Sequence, residues 1–226
     1  MTAGTELEDA DVVLPDRSLV AVVGRRITGH HGVDEWGLDQ DLCALVGSLP
    51  GMGHAVVVEG IHLLPDGPAV LVHDRTPLGF EAVAVAVGVG VAADRPVRTT
   101  GVPDVAPVVG VLRRLGGVGG HPADLRGLLR SGQLVAVGLT PVRARPGRTG
   151  VLPPDAVAAA LATGAPLVPV SVRPARGPRR ARVTIGESVP TRRRRSARAA
   201  DEVAGLVRDR IAELAGVAAL GVDDGT

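Results

Sequence analysis

Short β-branched runs alternate with longer amphipathic ones along most of the chain. The runs 54–58, 69–72, 97–100, 134–137, 167–172 and 181–185 read as strands. Between and after them, 79–91, 104–115, 122–130, 154–163 and 201–215 read as helices. Parallel strands need a crossover connection, and helices between strands supply it, so the pattern predicts an α/β fold with a largely parallel central sheet covered by helices. Several strands are continuous apolar runs, as expected when both faces of a sheet are buried. Pro122 and Pro154 stand at predicted helix starts, where a missing N–H costs little.

Earlier in the chain, Trp36, Leu38, Leu42, Leu45, Val46 and Leu49 recur at mostly helical spacing, predicting one helix from Asp34 that Pro50-Gly51 ends. Proline and glycine keep 143–153 and 173–180 out of helix and mark them as irregular loops. The glycine run 116–120 lacks the strand-to-helix setting and spacing of a nucleotide-binding fingerprint and reads as a turn. The length of 226 residues fits one domain, taken as 29–216, with 1–28 as an N-terminal arm and 217–226 as a disordered tail.

Composition narrows the partners. A net charge of +1 gives no global pull toward nucleic acid or membrane, so either partner would have to be met by a local patch. The chain has no lysine, and all 25 basic residues are arginine, alongside an excess of Gly, Ala, Val and Pro. A GC-rich coding sequence accounts for this bias, so an arginine cluster here is weaker evidence of phosphate binding than it would be in a lysine-rich chain. Two basic runs, 173–180 and 191–198, could face an anionic membrane surface. Trp36 and Phe80 are too few aromatic platforms for a single-stranded nucleic acid, and no nucleic-acid partner is expected.

A lone Cys43 excludes an internal disulfide and a cysteine-built zinc site, and reads as a small core residue in a reducing cytoplasmic setting. The acidic N-terminal stretch lacks the basic flank and apolar core of a secretory signal, so export is not expected. The apolar run 82–93 is shorter than the roughly 20 residues that cross a bilayer and reads as a buried helix. Adjacent His30 and His31 lack further ligands at suitable spacing, and no metal is assigned. His62 is expected to be exposed, His121 to cap a helix or meet solvent, and Trp36 to anchor its helix to the core.

Five segments, in order, carry a resemblance to a family. They are VDEWGLDQDL (33–42), VEGIHLLPDGPAVLVHD (57–74), RLGGVGGHPADLRGLLRSGQLVAV (114–137), GAPLVPVSV (164–172) and VTIGESV (183–189). Together the chain from about Val33 to Ala215 resembles the lysophospholipid and glycerol-3-phosphate acyltransferases, in particular a subgroup common in high-GC bacteria. The resemblance implies a glycerolipid acyltransferase-like fold and a cytoplasmic protein peripheral to the inner face of the cell membrane. It also implies acyl transfer from acyl-CoA or acyl-carrier protein, as co-substrate, to a glycerophosphate or lysophospholipid. No bound cofactor is implied. In that family a His held by a carboxylate deprotonates the acceptor hydroxyl, and an Arg after the FPEG block meets the substrate phosphate.

The catalytic block here reads HDRTPLGFEA. Aligned on its flanks, the family Asn falls on His73, the family His on Asp74 and the family Asp on Glu81. GLTP (138–141) replaces FPEG, and only Arg143 remains of the phosphate block. Three functional readings stand at this point. His73, displaced by one position and oriented by Glu81, could act as the base with Arg143 on the phosphate. A one-residue slip along a strand would, however, turn that side chain to the other face. Alternatively the fold keeps a lipid or thioester without chemistry, because an ordinary carboxylate at Asp74, with a pKa near 4, is a poor base for an alcohol. In the third reading the chain is an anionic-membrane-binding module. Beside all three, His73-Asp74 could be a surface dipeptide and Arg143 a solvated loop residue.

Overall fold

A computed structural model of the chain describes residues 33–43, 55–74, 80–101, 108–140, 150–174, 180–191 and 196–220. Among the described residues seven strands, β1 (Ala55–Glu59), β2 (Ala69–His73), β3 (Val97–Thr100), β4 (Gly117–Val118), β5 (Leu134–Gly138), β6 (Leu167–Pro174) and β7 (Arg180–Ile185), form one sheet in the order β1-β7-β6-β2-β5-β3-β4. The helices are α1 (Phe80–Ala92), α2 (Val108–Arg114), α3 (Pro122–Arg130), α4 (Pro154–Thr163) and α5 (Ala197–Leu220). The five strands from β6 to β4 run parallel, whereas β7 runs antiparallel to β6 and β1 follows β7. The expected α/β fold with a largely parallel, helix-covered sheet is therefore what forms.

Side-chain alternation along the strands sorts the core into two layers. Ala69 and Leu71 of β2, Val168 and Val170 of β6 and Val183 and Ile185 of β7 turn to one face, where they meet Ala84, Val85 and Val89 of α1. Val70 and Val72 turn to the other face with Val135 and Val137, against Leu128 and Leu129 of α3, Val157 and Ala160 of α4, and Val203, Val207 and Ile211 of α5. The middle strand β2 is fully buried from end to end. Burying a Leu or Val side chain stabilises by roughly 1.5–3 kcal/mol, so these two apolar layers dominate the fold's stability.

Glycine permits two close approaches. Gly88 in α1 faces β1, and a Cβ there would stand 2.5 Å from Val56 Cγ1. Gly60, which joins β1 to a short 3-10 turn (Ile61–Leu63), has φ 75°, and a Cβ there would stand 2.4 Å from the Ile185 carbonyl oxygen. The VEGIH segment thus holds its turn against β7 through a residue that must lack a side chain.

Several expectations shift at their edges. Residues 34–37 form a turn and helix begins only at residue 40, because the Asp34 carboxylate accepts from the Trp36 and Leu38 amides and a Val33–Asp39 bridge closes the turn. Trp36 still anchors the core, its ring lying over Gly127 of α3, but it does so from that turn. Within the glycine run 116–120, Gly117–Val118 are the edge strand β4, paired with Thr99 and Thr100. Arg173, Pro174 and Arg180, assigned to a loop, extend β6 and β7, since antiparallel pairing continues through Pro174↔Ala181. The last helix runs to Leu220, past Ala215, so residues 217–220 are helical rather than tail. The arm 1–28, His30, His31 and 221–226 lie outside the described residues.

Candidate functional site

Adjacent strands β2 and β5 send their chains to opposite faces of the sheet. After β2 the chain enters α1 on one face, and after β5 it enters α4 on the other. In open α/β sheets the crevice at the carboxyl ends of such a strand pair is where ligands bind. His73 ends β2 at that point, paired with Gly138, and its carbonyl accepts from the Leu139 amide at 2.9 Å.

His73 shares its face with Ala69 and Leu71, the face that α1 covers, and is 2% exposed. It is not part of a surface dipeptide. Glu81, in the first turn of α1, is 4% exposed, and its Oε2 is buried with no hydrogen-bond partner among the described residues. The imidazole and this carboxylate therefore belong to the same side of the sheet. His73 Nδ1 lies 2.6 Å from the Asp74 carbonyl oxygen. A carbonyl only accepts, so in the neutral ring Nδ1 carries the hydrogen and Nε2 keeps the lone pair.

Asp74 points elsewhere. Its Oδ2 accepts from Arg173 Nη2 at 3.3 Å, beyond the end of the pairing between β2 and β6. Burial raises the Asp74 pKa, the Arg173 guanidinium opposes that rise, and the Glu81 carboxylate adds to it. His73 and Asp74, neighbours in sequence, thus serve different surroundings.

Arg143 lies outside the described residues, but the ends of its segment are fixed. Thr140 and Val151 exchange two backbone hydrogen bonds of 2.8 Å, directly after β5 and before α4. A groove of about 1010 Å³ opens between α4 and α5, lined by Leu152, Val157, Leu161, Ala200, Ala204 and Arg208. It belongs to the helical layer on the face opposite His73, so it is not continuous with the imidazole.

Of the other singled-out residues, His62 is exposed, and His121 caps α3 by accepting from the Ala123 amide at 3.3 Å. Cys43 is half-buried rather than a core residue, with Sγ 3.8 Å from the Arg114 carbonyl oxygen. Burial and then the Asp39 carboxylate push its thiol up to about 11, which leaves it protonated and unreactive at neutral pH. Among the described residues no group of three or more His, Cys, Asp or Glu could hold a metal, and no helix is long and apolar enough to cross a membrane.

Two charged features were not anticipated. Arg98 of β3 is fully buried, held by Asp34 from the turn that precedes residue 40, with Nε and Nη1 unpartnered among the described residues. Nothing in the sequence near VRTT marks it, because its partner is distant in the chain. The second is Arg173 in its pairing with Asp74, for which the sequence does carry a signal: the alternation of Val168, Val170 and Val172 puts Ser171 and Arg173 on the other face.

No family model matches the sequence, and no curated protein matches it. Among solved structures, the chain is similar to the 1-acyl-sn-glycerophosphate (LPA) acyltransferase, PlsC, from Thermotoga maritima, with 22% identity over 70% of this chain and 71% of that one and a TM-score of 0.49.

Proposed function

We propose that the chain transfers an acyl group from a thioester, acyl-CoA or acyl-carrier protein, to the hydroxyl of a glycerophosphate or lysophospholipid, with His73 as general base. The observation that carries the reading is the shared face of His73 and Glu81 at the carboxyl end of the central strand. The five ordered segments that resemble the glycerolipid acyltransferases give the substrate class.

In this mechanism Nε2 of His73 takes the acceptor's proton as the hydroxyl oxygen attacks the thioester carbonyl. Glu81 stabilises the imidazolium that forms, and the Asp74 carbonyl keeps Nδ1–H oriented. The tetrahedral intermediate then expels the thiolate, which leaves as the thiol with the proton from Nε2. Arg143 would bind the acceptor's phosphate from the segment that follows β5.

A second reading, binding of lipid or thioester without turnover, is favoured by one observation: His73 and Glu81 are 2% and 4% exposed. A base must reach its substrate, and a base closed in by its own fold does not. In both readings the protein is peripheral to an anionic membrane surface, where its lipid ligand resides.

The two separate in an assay of the purified protein with long-chain acyl-CoA or acyl-carrier protein against lysophosphatidate and glycerol-3-phosphate. Turnover that is lost in both His73→Ala and Glu81→Gln establishes the catalytic reading. Its absence, with thioester or lipid binding retained in the wild type and both variants, establishes the binding reading.

A further inference from the structure

On the sheet face away from α1, two arginines stand directly opposite each other on antiparallel strands. Arg173 of β6 pairs with Arg182 of β7, and their flanking neighbours Val172 and Val183 turn to the α1 side. Side chains directly opposite on one face have Cβ atoms about 5 Å apart, and like charges so placed repel. The two side chains are 41% and 48% exposed. In a lysine-free chain arginine identity alone says little, but this register says more: it sets two cations directly opposite each other on one sheet face.

Each guanidinium holds a carboxylate from a strand on its outer side. Arg173 Nη2 is 3.3 Å from Asp74 Oδ2, and Arg182 Nη1 is 2.8 Å from Glu59 Oε1 at the end of β1. Glu59 also accepts from Thr184 Oγ1 at 3.2 Å. The order across the face is therefore acid, arginine, arginine, acid. Half-exposed ion pairs of this kind contribute little to stability and are readily exchanged. A phosphate dianion between the arginines would accept from both planar forks and remove their mutual repulsion. One more group on that face awaits a partner. Ser171 faces Thr184 across the strands, two residues before Arg173, and its Oγ is buried at 1% exposure with no partner among the described residues.

We propose that Arg173 and Arg182 form a binding site for a phosphate monoester, with Asp74 and Glu59 as internal counter-ions that the ligand displaces. Identifying that monoester with the head group of the acyl acceptor rests on the acyl-transfer reading and would assign that phosphate to these two arginines in place of Arg143; the binding site itself does not rest on it. It also gives Asp74, whose carboxylate is paired with Arg173, a function: it occupies the site until a phosphate arrives.

The test is calorimetric titration of the full-length protein with inorganic phosphate and glycerol-3-phosphate, without acyl donor. Sedimentation with phosphatidylcholine vesicles containing phosphatidate, a monoester, or phosphatidylglycerol, a diester, forms a second arm. Binding of a soluble phosphate identifies a small-molecule site, and binding of phosphatidate vesicles alone identifies a lipid headgroup as the source. Either supports the proposal if Arg173→Gln and Arg182→Gln each weaken it by about tenfold or more, and if Asp74→Asn tightens it. Arg182→Lys keeps the charge and should recover only part of the affinity, because an ammonium cannot bind two oxygens in a fork. Near-unchanged melting temperatures for these half-exposed positions separate loss of binding from loss of fold. No binding of any of these phosphates at millimolar concentration, or binding indifferent to both Gln variants, overturns the proposal. Phosphate binding without acyl transfer would leave it standing and sink the catalytic reading, and turnover without phosphate binding would do the reverse.

Discussion

Replacing Glu81 by Leu tests whether this carboxylate serves chemistry or the fold. A carboxylate oxygen buried with no hydrogen-bond partner, as Oε2 is, costs roughly 1–3 kcal/mol of desolvation that is not recovered. Leu at position 81 would lie in the first turn of α1, on the helix that presents Ala84, Val85 and Val89 to the sheet. Its helix propensity is close to that of Glu, so that difference is small. Against the gain stands the loss of an acidic group from a helix first turn, about 0.3–1 kcal/mol. The net expectation is stabilisation by about 0.5–2 kcal/mol, a rise in melting temperature of roughly 1–8 °C for a chain of this size. Urea unfolding should show a higher midpoint with an unchanged slope, since the surface exposed on unfolding hardly changes. Acyl transfer should be lost in the same variant. A lowered midpoint would refute the reasoning, because it would show that Glu81 holds the structure together instead of being retained at a cost for function.

Three further outcomes follow from other parts of the structure. Gly88→Ala, which in most helix interiors stabilises by about 0.5–1 kcal/mol, should here destabilise by roughly 1–2 kcal/mol. The new Cβ would meet Val56 Cγ1 at 2.5 Å and Val58 Cγ2 at 3.1 Å, and thermal unfolding reads the sign. Asp34→Ala should cost about 3 kcal/mol or more by leaving Arg98 as a buried, uncompensated charge. Adding Arg98→Met should recover part of that loss, as a double-mutant cycle would report. Asp74 has a folded-state pKa above its unfolded value, so its contribution to stability is fully present below about pH 4 and is lost as pH rises through the folded value. Asp74→Asn should therefore gain on the wild type as pH climbs from about 4, and a pH series of urea midpoints that stays parallel for the two proteins would contradict this.

Alternation and punctuation made most of the fold legible. Strand 97–100 and helices 122–130 and 154–163 form with the boundaries read from the sequence; in the two helices a first-turn proline and a following serine or glycine agree with the apolar pattern. Failures arose where distant pairing overrode local signals. Gly117–Val118 is too short and too glycine-flanked to announce a strand, and is one because β3 offers it an edge. Asp34 would suit a helix start, but its carboxylate is engaged by two nearby amides and by Arg98, sixty-four residues on, so the helix waits until residue 40.

The site was legible as a composition of residues and not as an arrangement. Reading HDRTPLGFEA as a line makes His73 and Asp74 rivals for one role, since only one can stand at the family's base position. The pleat removes that rivalry. His73 turns with Ala69 and Leu71 toward the layer that begins at Glu81, while Asp74 leaves the strand and reaches Arg173. The one-residue displacement that argued against His73 is the same step that delivers it to the face carrying the buried carboxylate. It also frees the next residue to neutralise an arginine whose own cross-strand partner is a second arginine. In the proposed reading two adjacent residues thus divide base chemistry from anion recognition, and neither role could be proposed without knowing which way the strand faces.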